Sequence, residues 1–372
     1  MKVLILNSIL FTADNYRIPK VKTIKDTMIY SVCLGFKELG HEVTLVAADD
    51  YRPTDNEDYD FEVLFFHSCY KRVFSPSVIP FSKELRKFLK DNQKNYDMVV
   101  SSEIFSFPSL FASCICNQKL VVWHELAVYP RKFCRIPSRI WYDFVVPKYF
   151  KSTFVVARSV AAKSFISKHC KNVSDIVVEH GVNIDRFVAS KTKNKQFVVI
   201  SQLIPRKNIQ SIIRKFKQFV ELSEENRAYK LYIIGRGPLE DTLKELVAEL
   251  HLSKNVVFVG FLGHDELKVY LSESMAMLID TFQDNNMVSI PESIVSGTPV
   301  LTNSVPTNKY TITANDLGIV KDEWGSAEIE RIVTNNDYYV NRCVDYRDKL
   351  SYQYCASQLI KAFNNRNNKS KI

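Results

Sequence analysis

Four short stretches of this chain carry side chains suited to holding an anionic ligand. The first is Ile279–Val300, IDTFQDNNMVSIPESIVSGTPV, in which an apolar run ends in an Asp/Asn-rich turn holding Asp284. A potential helix follows, opening with Glu292 after Pro291, and Gly-Thr-Pro-Val closes the stretch. The second is Ser201–Asn208, SQLIPRKN, which puts Arg206 and Lys207 just ahead of a helical pattern. There the free amides of a helix start favour anions, Lys acts as a point charge and Arg as a fork on phosphate oxygens. The third, Gly235-Arg236-Gly237-Pro238, ends an apolar strand; its glycines allow either a tight turn or close approach to a ligand. Gly260 and Gly263 repeat that design after another strand. The fourth, Trp123-His124-Glu125, places a histidine at a strand's carboxyl end, suited to hydrogen-bond donation or proton relay. Glu103 holds the analogous position one strand earlier. A carboxylate at the position of Glu292 either caps its helix or accepts the paired hydroxyls of a ribose, and Asp284 reaches sugar hydroxyls across the turn.

Positioning such residues takes a sheet. The first half alternates candidate strands Val3–Leu6, Glu42–Val46, Phe61–Phe66, Asp97–Val100, Lys119–Trp123, Thr153–Val156 and Ile176–Val178 with helical patterns. The helical patterns lie near Asp26–Leu39, Pro80–Lys90, Phe107–Cys114, Ile136–Tyr149 and Ser159–Ser167. Short β-branched strands fed by helices predict a mostly parallel sheet covered on both faces. From Gly181 to Lys195 a polar, lysine-containing join interrupts the pattern, ahead of a restart at Phe197–Ile200. Helices Ile209–Leu222, Leu239–Glu249 and Glu266–Leu271 then alternate with strands Lys230–Ile234, Val256–Val259 and Ala276–Ile279. The expected fold class is α/β: two Rossmann-like domains facing across a cleft, 1–190 and 191–350. A C-terminal helix and basic tail, 351–372, could return to the first domain.

The bulk properties agree with a soluble globular chain of two domains: 372 residues, 46% apolar and 24% charged. Eight thinly spread cysteines read as reduced, buried thiols of a cytosolic protein, and the initial apolar run is too short for a signal peptide. The net charge of +9 leaves room for nucleotide phosphates or an acidic lipid surface. No zinc-finger spacing or RNA-binding signature occurs, so nucleic acid is not an expected partner. Within 131–151, Arg131, Lys132, Arg135, Arg139, Lys148 and Lys151 face a single acid, Asp143, with Phe133, Ile136, Ile140, Trp141, Phe144, Val145 and Tyr149 interleaved. Basic and aromatic residues so mixed fit either an interfacial membrane segment or a core-packed helix with a solvated basic face, and Pro137 and Pro147 interrupt the stretch, so one long amphipathic helix is not expected.

The chain resembles the retaining glycosyltransferases of family 4 (GT4), of the bacterial surface-polysaccharide type, with the two-domain GT-B architecture. The resemblance runs over nearly the whole chain and is strongest over 196–301. The family's Gly-Arg-Leu-x-x-x-Lys-Gly is matched by Ser201-Gln202-Leu203-Ile204-Pro205-Arg206-Lys207-Asn208, and its Gly-x-Gly by Gly235-Arg236-Gly237. Its Glu-x7-Glu pair is matched by Asp284 and Glu292, followed by Gly297-Thr298-Pro299-Val300. The resemblance implies that Lys207 binds a nucleotide's diphosphate, Glu292 its ribose, and Asp284 the donor sugar. It implies that amides at Met287 and Val288 cradle phosphate or sugar, with Gly235 and Gly237 at the same nucleotide edge, and that His124 lies near the transferred sugar. Three departures bear on the donor: Gln202 replaces the family arginine, with Arg206 a substitute from the next turn; Asp284 is a methylene shorter than Glu; and Asn285-Asn286-Met287 replaces Gly-Phe-Gly. At the N-terminus, Asn7–Pro19 with Arg17 and Lys20 stands where the family has a Gly-Gly acceptor loop.

The activity so implied is hexosyl transfer from a nucleotide sugar, expected to be UDP-linked, with anomeric configuration kept. The expected acceptor is a glycan or lipid-linked glycan in polysaccharide or capsule assembly. Neither metal nor cofactor is expected, since side chains supply the positive charge. Two other readings stand beside it: a catalytically weak sugar-nucleotide-binding subunit, favoured by Gln202, and a GT-B epimerase or phosphorylase. The expected location is cytoplasmic, or peripheral on the inner face of the plasma membrane.

Overall fold

The computed structural model describes residues 1–11, 13, 17–129, 135–284 and 286–369. They divide into two compact units, one comprising Met1–Gly181 together with the segment from Tyr352 onward, the other Val182–Ser351. Each is built on a six-stranded sheet with helices on both faces.

In the first unit the strands are β1 (Lys2–Leu6), β2 (Glu42–Ala48), β3 (Glu62–Phe66), β4 (Met98–Ser102), β5 (Leu120–His124) and β6 (Phe154–Ala157). They run parallel in the order β3-β2-β1-β4-β5-β6. Alternation along β1 assigns its side chains to two cores. Val3 and Ile5 pack with helix Met28–Glu38 and Cys355, Ala356 and Leu359, whereas Leu4 and Leu6 pack with Leu85, Phe111, Trp141 and Phe165. Both faces are covered, which is why these strands read as unbroken apolar runs.

Helix Tyr352–Lys369 therefore returns to the first unit and lies on helix Met28–Glu38. Gly35 makes the close crossing possible, because a Cβ there would stand 2.4 Å from the Tyr352 carbonyl oxygen. The Tyr352 hydroxyl donates to Glu38 Oε1 at 2.7 Å.

Two expectations change. Ile176–Val178 does not join the sheet as a seventh strand. Val178 donates one amide bond to the Ala157 carbonyl, and its own carbonyl accepts Trp123 Nε1 at 2.8 Å, so its backbone groups are satisfied without a ladder. As Pro137 and Pro147 lead one to expect, the helical segment near Ile136–Tyr149 is not one long helix: helix Arg135–Ile140 gives way to a π turn, Trp141–Val145, before Val146–Tyr149. Pro147 cannot donate to the carbonyl four residues back, and a widened turn is one way a helix absorbs that loss. Finally, the units divide between Gly181 and Val182, ahead of the join expected near 190. The intervening polar segment belongs to the second unit: Phe187 is buried there, and Arg347 Nη2 donates to the carbonyls of Ile184 (2.6 Å) and Phe187 (2.9 Å).

The second sheet contains β7 (Asn194–Ile200), β8 (Lys230–Ile234), β9 (Val256–Gly260), β10 (Ser274–Ile279), β11 (Val300–Thr302) and β12 (Gly318–Val320). It too is parallel, in the order β12-β11-β10-β7-β8-β9. Phe197 and Val199 face one core with helices Ile209–Glu221 and Ser326–Thr334; Val198 faces the other with helix Ser289–Val295. The seven described cysteines are free thiols, and no described helix is long and apolar enough to cross a membrane.

Candidate functional site

The order of the second sheet reverses between β7 and β10: the chain leaves β7 toward β8 and leaves β10 toward β11. Loops that depart in opposite directions open a crevice at the carboxyl ends of the two strands, where parallel α/β sheets bind ligands. The loop after β7 carries Arg206 and Lys207, and the loop after β10 carries Asp284. Topology thus brings together the two stretches that stood out in the sequence.

Pro205–Lys207 forms a single 3-10 turn, and Asn208 then adopts a left-handed conformation (φ 50°) before helix Ile209–Glu221 begins. Asparagine tolerates that region better than most residues, consistent with its standing where the family pattern has glycine. The Lys207 ammonium contacts Asp284 Oδ2, and Arg206 Nη1 donates to the same oxygen at 3.3 Å and to the Gln283 carbonyl at 3.0 Å. Lys207 is largely buried, whereas Arg206 is 41% exposed. Two cations thus converge on one carboxylate, an arrangement able to exchange that carboxylate for phosphate oxygens.

The loops are also tied through backbone. The Arg206 carbonyl accepts the Phe282 amide at 2.8 Å and the Thr281 hydroxyl at 2.9 Å. Glu292 is buried in helix Ser289–Val295, together with Ile290, Pro291 and Ser293. Met287 is buried and Val288 exposed; the Met287 amide donates to Asn308 Oδ1 at 2.8 Å and so already has an internal acceptor.

Gly235 and Gly237 answer to backbone packing. A Cβ on Gly235 (φ 139°) would stand 1.8 Å from the Ser201 carbonyl oxygen, and one on Gly237 2.4 Å from that of Leu203. Their missing side chains let the end of β8 press against the stretch that leads to Arg206. Gly235→Ala is expected to lower the stability of the protein by about 2–4 kcal/mol, through the clash and the positive φ; urea unfolding measures it, and a loss under about 0.5 kcal/mol would contradict this packing account.

In the first unit His124 ends β5, but its ring does not face open space. It is fully buried, in ring contact with Phe165 and Tyr142, with Nδ1 3.3 Å from Glu103 Oε2. The aromatic shell from helix Val160–Ile166 and the π turn covers it. Glu103 sits in a left-handed conformation (φ 65°) and accepts the amides of Glu125 and Leu126. Burial pushes its carboxyl up, yet the charge and hydrogen bond of His124, the Glu125 amide and Arg158 hold it below the ordinary range.

Beside this pair lies a second charged group that sequence reading passed over. Arg158, at 4% exposure, donates to Glu125 Oε2 and Ser102 Oγ, both at 3.0 Å, with its guanidinium 3.9 Å from the centre of the Trp123 ring. His180 Nε2 approaches Glu125 at 3.6 Å. Burial pushes the Glu125 carboxyl up, but His180 and Arg158 more than reverse it, to about 2. Arg158 directly follows the apolar strand Phe154–Ala157, and that placement was the available signal.

Asp280 and Lys215 were also missed. Asp280 directly follows an apolar strand, and Lys215 interrupts an apolar helix face at helical spacing from Asn208 and Ser211. Among the described residues there is no cluster of three or more His, Cys, Asp or Glu spaced to hold a metal ion.

Residues 183–340, within the second unit, match the family model described as Glycosyl transferases group 1. The chain is 26% identical over 220 residues to the O-antigen chain mannosyltransferase RfbU of Salmonella typhimurium, covering 57% of this chain and 60% of that one. Its match thus spans under two thirds of that relative's length. Among solved structures, Anabaena Alr3699/HepE in complex with UDP is similar with a TM-score of 0.67 at 12% identity, over 98% of this chain and 100% of that one. The lipopolysaccharide outer core galactosyltransferase WaaB, apo form, is similar with a TM-score of 0.65 at 14% identity, over 100% of both chains. The fold is GT-B, and the second unit is related to group 1 glycosyltransferases.

Proposed function

We propose that this chain is a retaining hexosyltransferase of family 4 type, moving a hexosyl unit from a UDP-sugar to a glycan or lipid-linked glycan in surface-polysaccharide assembly. The observation that carries the reading is the convergence of Arg206 and Lys207 on Asp284 at the switch point of the second sheet. In this reading the donor's diphosphate takes the place of the Asp284 carboxylate on the two cations, and Asp284 turns to the donor sugar. Glu292 accepts the ribose hydroxyls. As the bond to the anomeric carbon breaks, negative charge grows on the departing diphosphate, and fixed cations stabilise it without reorganisation. Those two side chains provide the charge, so the proposal calls for no metal. The acceptor hydroxyl attacks the face the diphosphate leaves, and its proton passes to the leaving phosphate.

The similarity of the fold to that of a protein solved with UDP supports a uridine nucleotide, and the relation to an O-antigen mannosyltransferase supports a glycan acceptor. His124 enters as a residue that holds the carboxyl edge of the first sheet through Glu103, since its ring is enclosed. Incubation with UDP-, GDP- and dTDP-sugars and a lipid-linked acceptor is expected to give a new glycosidic bond of the donor's anomeric configuration, read by NMR. Binding without product would instead favour the weak-subunit reading, and phosphorolysis or epimerised donor the third.

Membrane contact is part of the same proposal. Ile136 (71% exposed), Ile140 (53%) and Phe144 (71%) recur at every fourth position, accompanied by exposed Arg139, Lys148 and Lys151. Exposed apolar side chains among cations suit the boundary of an anionic bilayer. Arg131, Lys132 and Phe133 of the same stretch lie outside the described residues. Phe144→Glu is expected to reduce cosedimentation with phosphatidylglycerol vesicles by about 10-fold, from lost apolar burial and added repulsion. Unchanged sedimentation would remove the membrane from the proposal.

A further inference from the structure

Asp280 is a carboxylate with four hydrogen-bond donors beside the two loops, and neither the proposed chemistry nor the family resemblance gives it a role. It directly follows β10 and is 8% exposed. Its Oδ2 accepts Ser211 Oγ at 2.6 Å, Lys215 Nζ at 2.7 Å and Asn208 Nδ2 at 3.4 Å, while Oδ1 accepts Asn303 Nδ2 at 3.2 Å. Three elements therefore meet on one side chain: the left-handed residue directly after Lys207, the first two turns of helix Ile209–Glu221, and the end of β11. The Lys215 ammonium also lies over the Trp324 ring, with Nζ 4.3 Å from the ring centre.

The connection to the cations is short. Asn208 follows Lys207 in sequence, and Thr281, next to Asp280, accepts Asn303 Nδ2 on its carbonyl at 2.8 Å and donates its hydroxyl to the Arg206 carbonyl at 2.9 Å. A buried carboxylate bonded to four donors is rigid, because moving it would strand donors away from water. Asp280 does not touch Lys207 or Arg206; it fixes the backbone on both sides of them.

We propose that Asp280 is a positioning residue for the diphosphate site: with Lys215 as its counter-ion, it sets the distance between the Arg206–Lys207 turn and the Asp284 loop. The proposal rests on the donor-site reading above and adds to it which residue sets the site's geometry. The diphosphate's second phosphate is the group that depends on that distance. A nucleoside monophosphate, held mainly through its base and ribose, depends on it far less.

The test is calorimetric binding of UDP and UMP to the full-length wild type, Asp280→Asn, and the double variant Asp280→Asn/Lys215→Met. Asp280→Asn turns an acceptor toward donor groups and leaves the Lys215 charge uncompensated, so its melting temperature is expected to fall. The double variant removes that charge and is expected to recover the melting temperature. In both, UDP affinity is expected to drop about 10- to 100-fold, the scale of an ångström-sized misplacement, while UMP affinity stays within about 2-fold. Recovery of UDP affinity together with thermal stability in the double variant, or parallel loss of UDP and UMP, would reduce Asp280 to a structural residue. If the wild type binds neither nucleotide, the donor-site reading itself fails; if it binds UDP and both variants bind it equally well, only the positioning role does. Should Asp280→Asn not fold, the double variant alone decides.

Discussion

Replacing Lys207 with alanine is expected to lower kcat/KM for sugar transfer by about 10²- to 10³-fold, the loss typical of removing one fixed group that stabilises charge developing in a transition state. The side chain is largely buried, so it works where water screens little, and it lies at the reversal point of the second sheet, against Asp284. Stability should change far less, because Arg206 remains on the same carboxylate at 3.3 Å. Steady-state kinetics with the best donor, paired with a thermal melt, separates the two effects. Transfer within about 3-fold of wild type, in a variant that melts normally, would remove Lys207 from the leaving-group site. Asp284→Asn should act oppositely on binding and turnover. It removes the internal competitor for the cations, so free UDP binds more tightly, while loss of the carboxylate from the donor sugar slows transfer.

Arg158→Met carries the largest expected cost in stability, about 2–4 kcal/mol. Breaking a buried ion pair by deleting one partner costs about 3–5 kcal/mol, and the partial exposure of Glu125 lowers that figure. The variant also loses the bond to Ser102 Oγ and the guanidinium over Trp123. The dependence on pH has a definite sign. With its native partners the folded carboxyl of Glu125 titrates near 2, below its unfolded value. Its contribution is therefore present above the unfolded pKa and is lost as pH falls toward 2. Without Arg158 the folded pKa rises, so the deficit relative to wild type should be greatest near neutrality and shrink below about pH 4. Urea unfolding at pH 7 and at pH 3.5 tests this; an equal deficit at both would place the cost in packing rather than charge.

The alternation of strands and helices was legible because a doubly covered parallel sheet needs apolar runs at nearly every position, as in Leu120–His124 and Ala276–Ile279. Arg206, Lys207 and Asp284 were legible as polar residues after apolar runs, whereas the adjacency of the β7 and β10 loops that brings them together comes from the strand order, which the sequence does not spell out. What stayed hidden depends on contacts distant in the chain. Ile176–Val178 is as apolar as a strand, but its backbone bonds go to the Ser174 hydroxyl, the Ala157 carbonyl and the Trp123 ring nitrogen instead of a ladder. His124 reads as a residue at a strand edge, and only Phe165 and Tyr142, from other elements, enclose it. Gly235 and Gly237 allowed either a tight turn or close approach to a ligand, and nothing local indicates that the chain's own Ser201–Leu203 backbone presses against them. Asp280 is one polar residue after an apolar run, and nothing local indicates that four donors from three elements end on it.

The return of helix Tyr352–Lys369 to Met28–Glu38 also fixes an order of assembly during synthesis. Val182–Ser351 is continuous, so every residue it needs has left the ribosome before Tyr352 emerges. The first unit begins earlier and finishes later. Until Cys355, Ala356 and Leu359 arrive, the face they cover on its sheet and on helix Met28–Glu38 stays open to solvent. Domains fold as units as they emerge, and exposed apolar surface on the unfinished one invites aggregation or a chaperone. A nascent chain arrested with residue 351 just outside the ribosome should therefore give a protease-resistant 182–351 fragment while residues 1–181 remain cleavable.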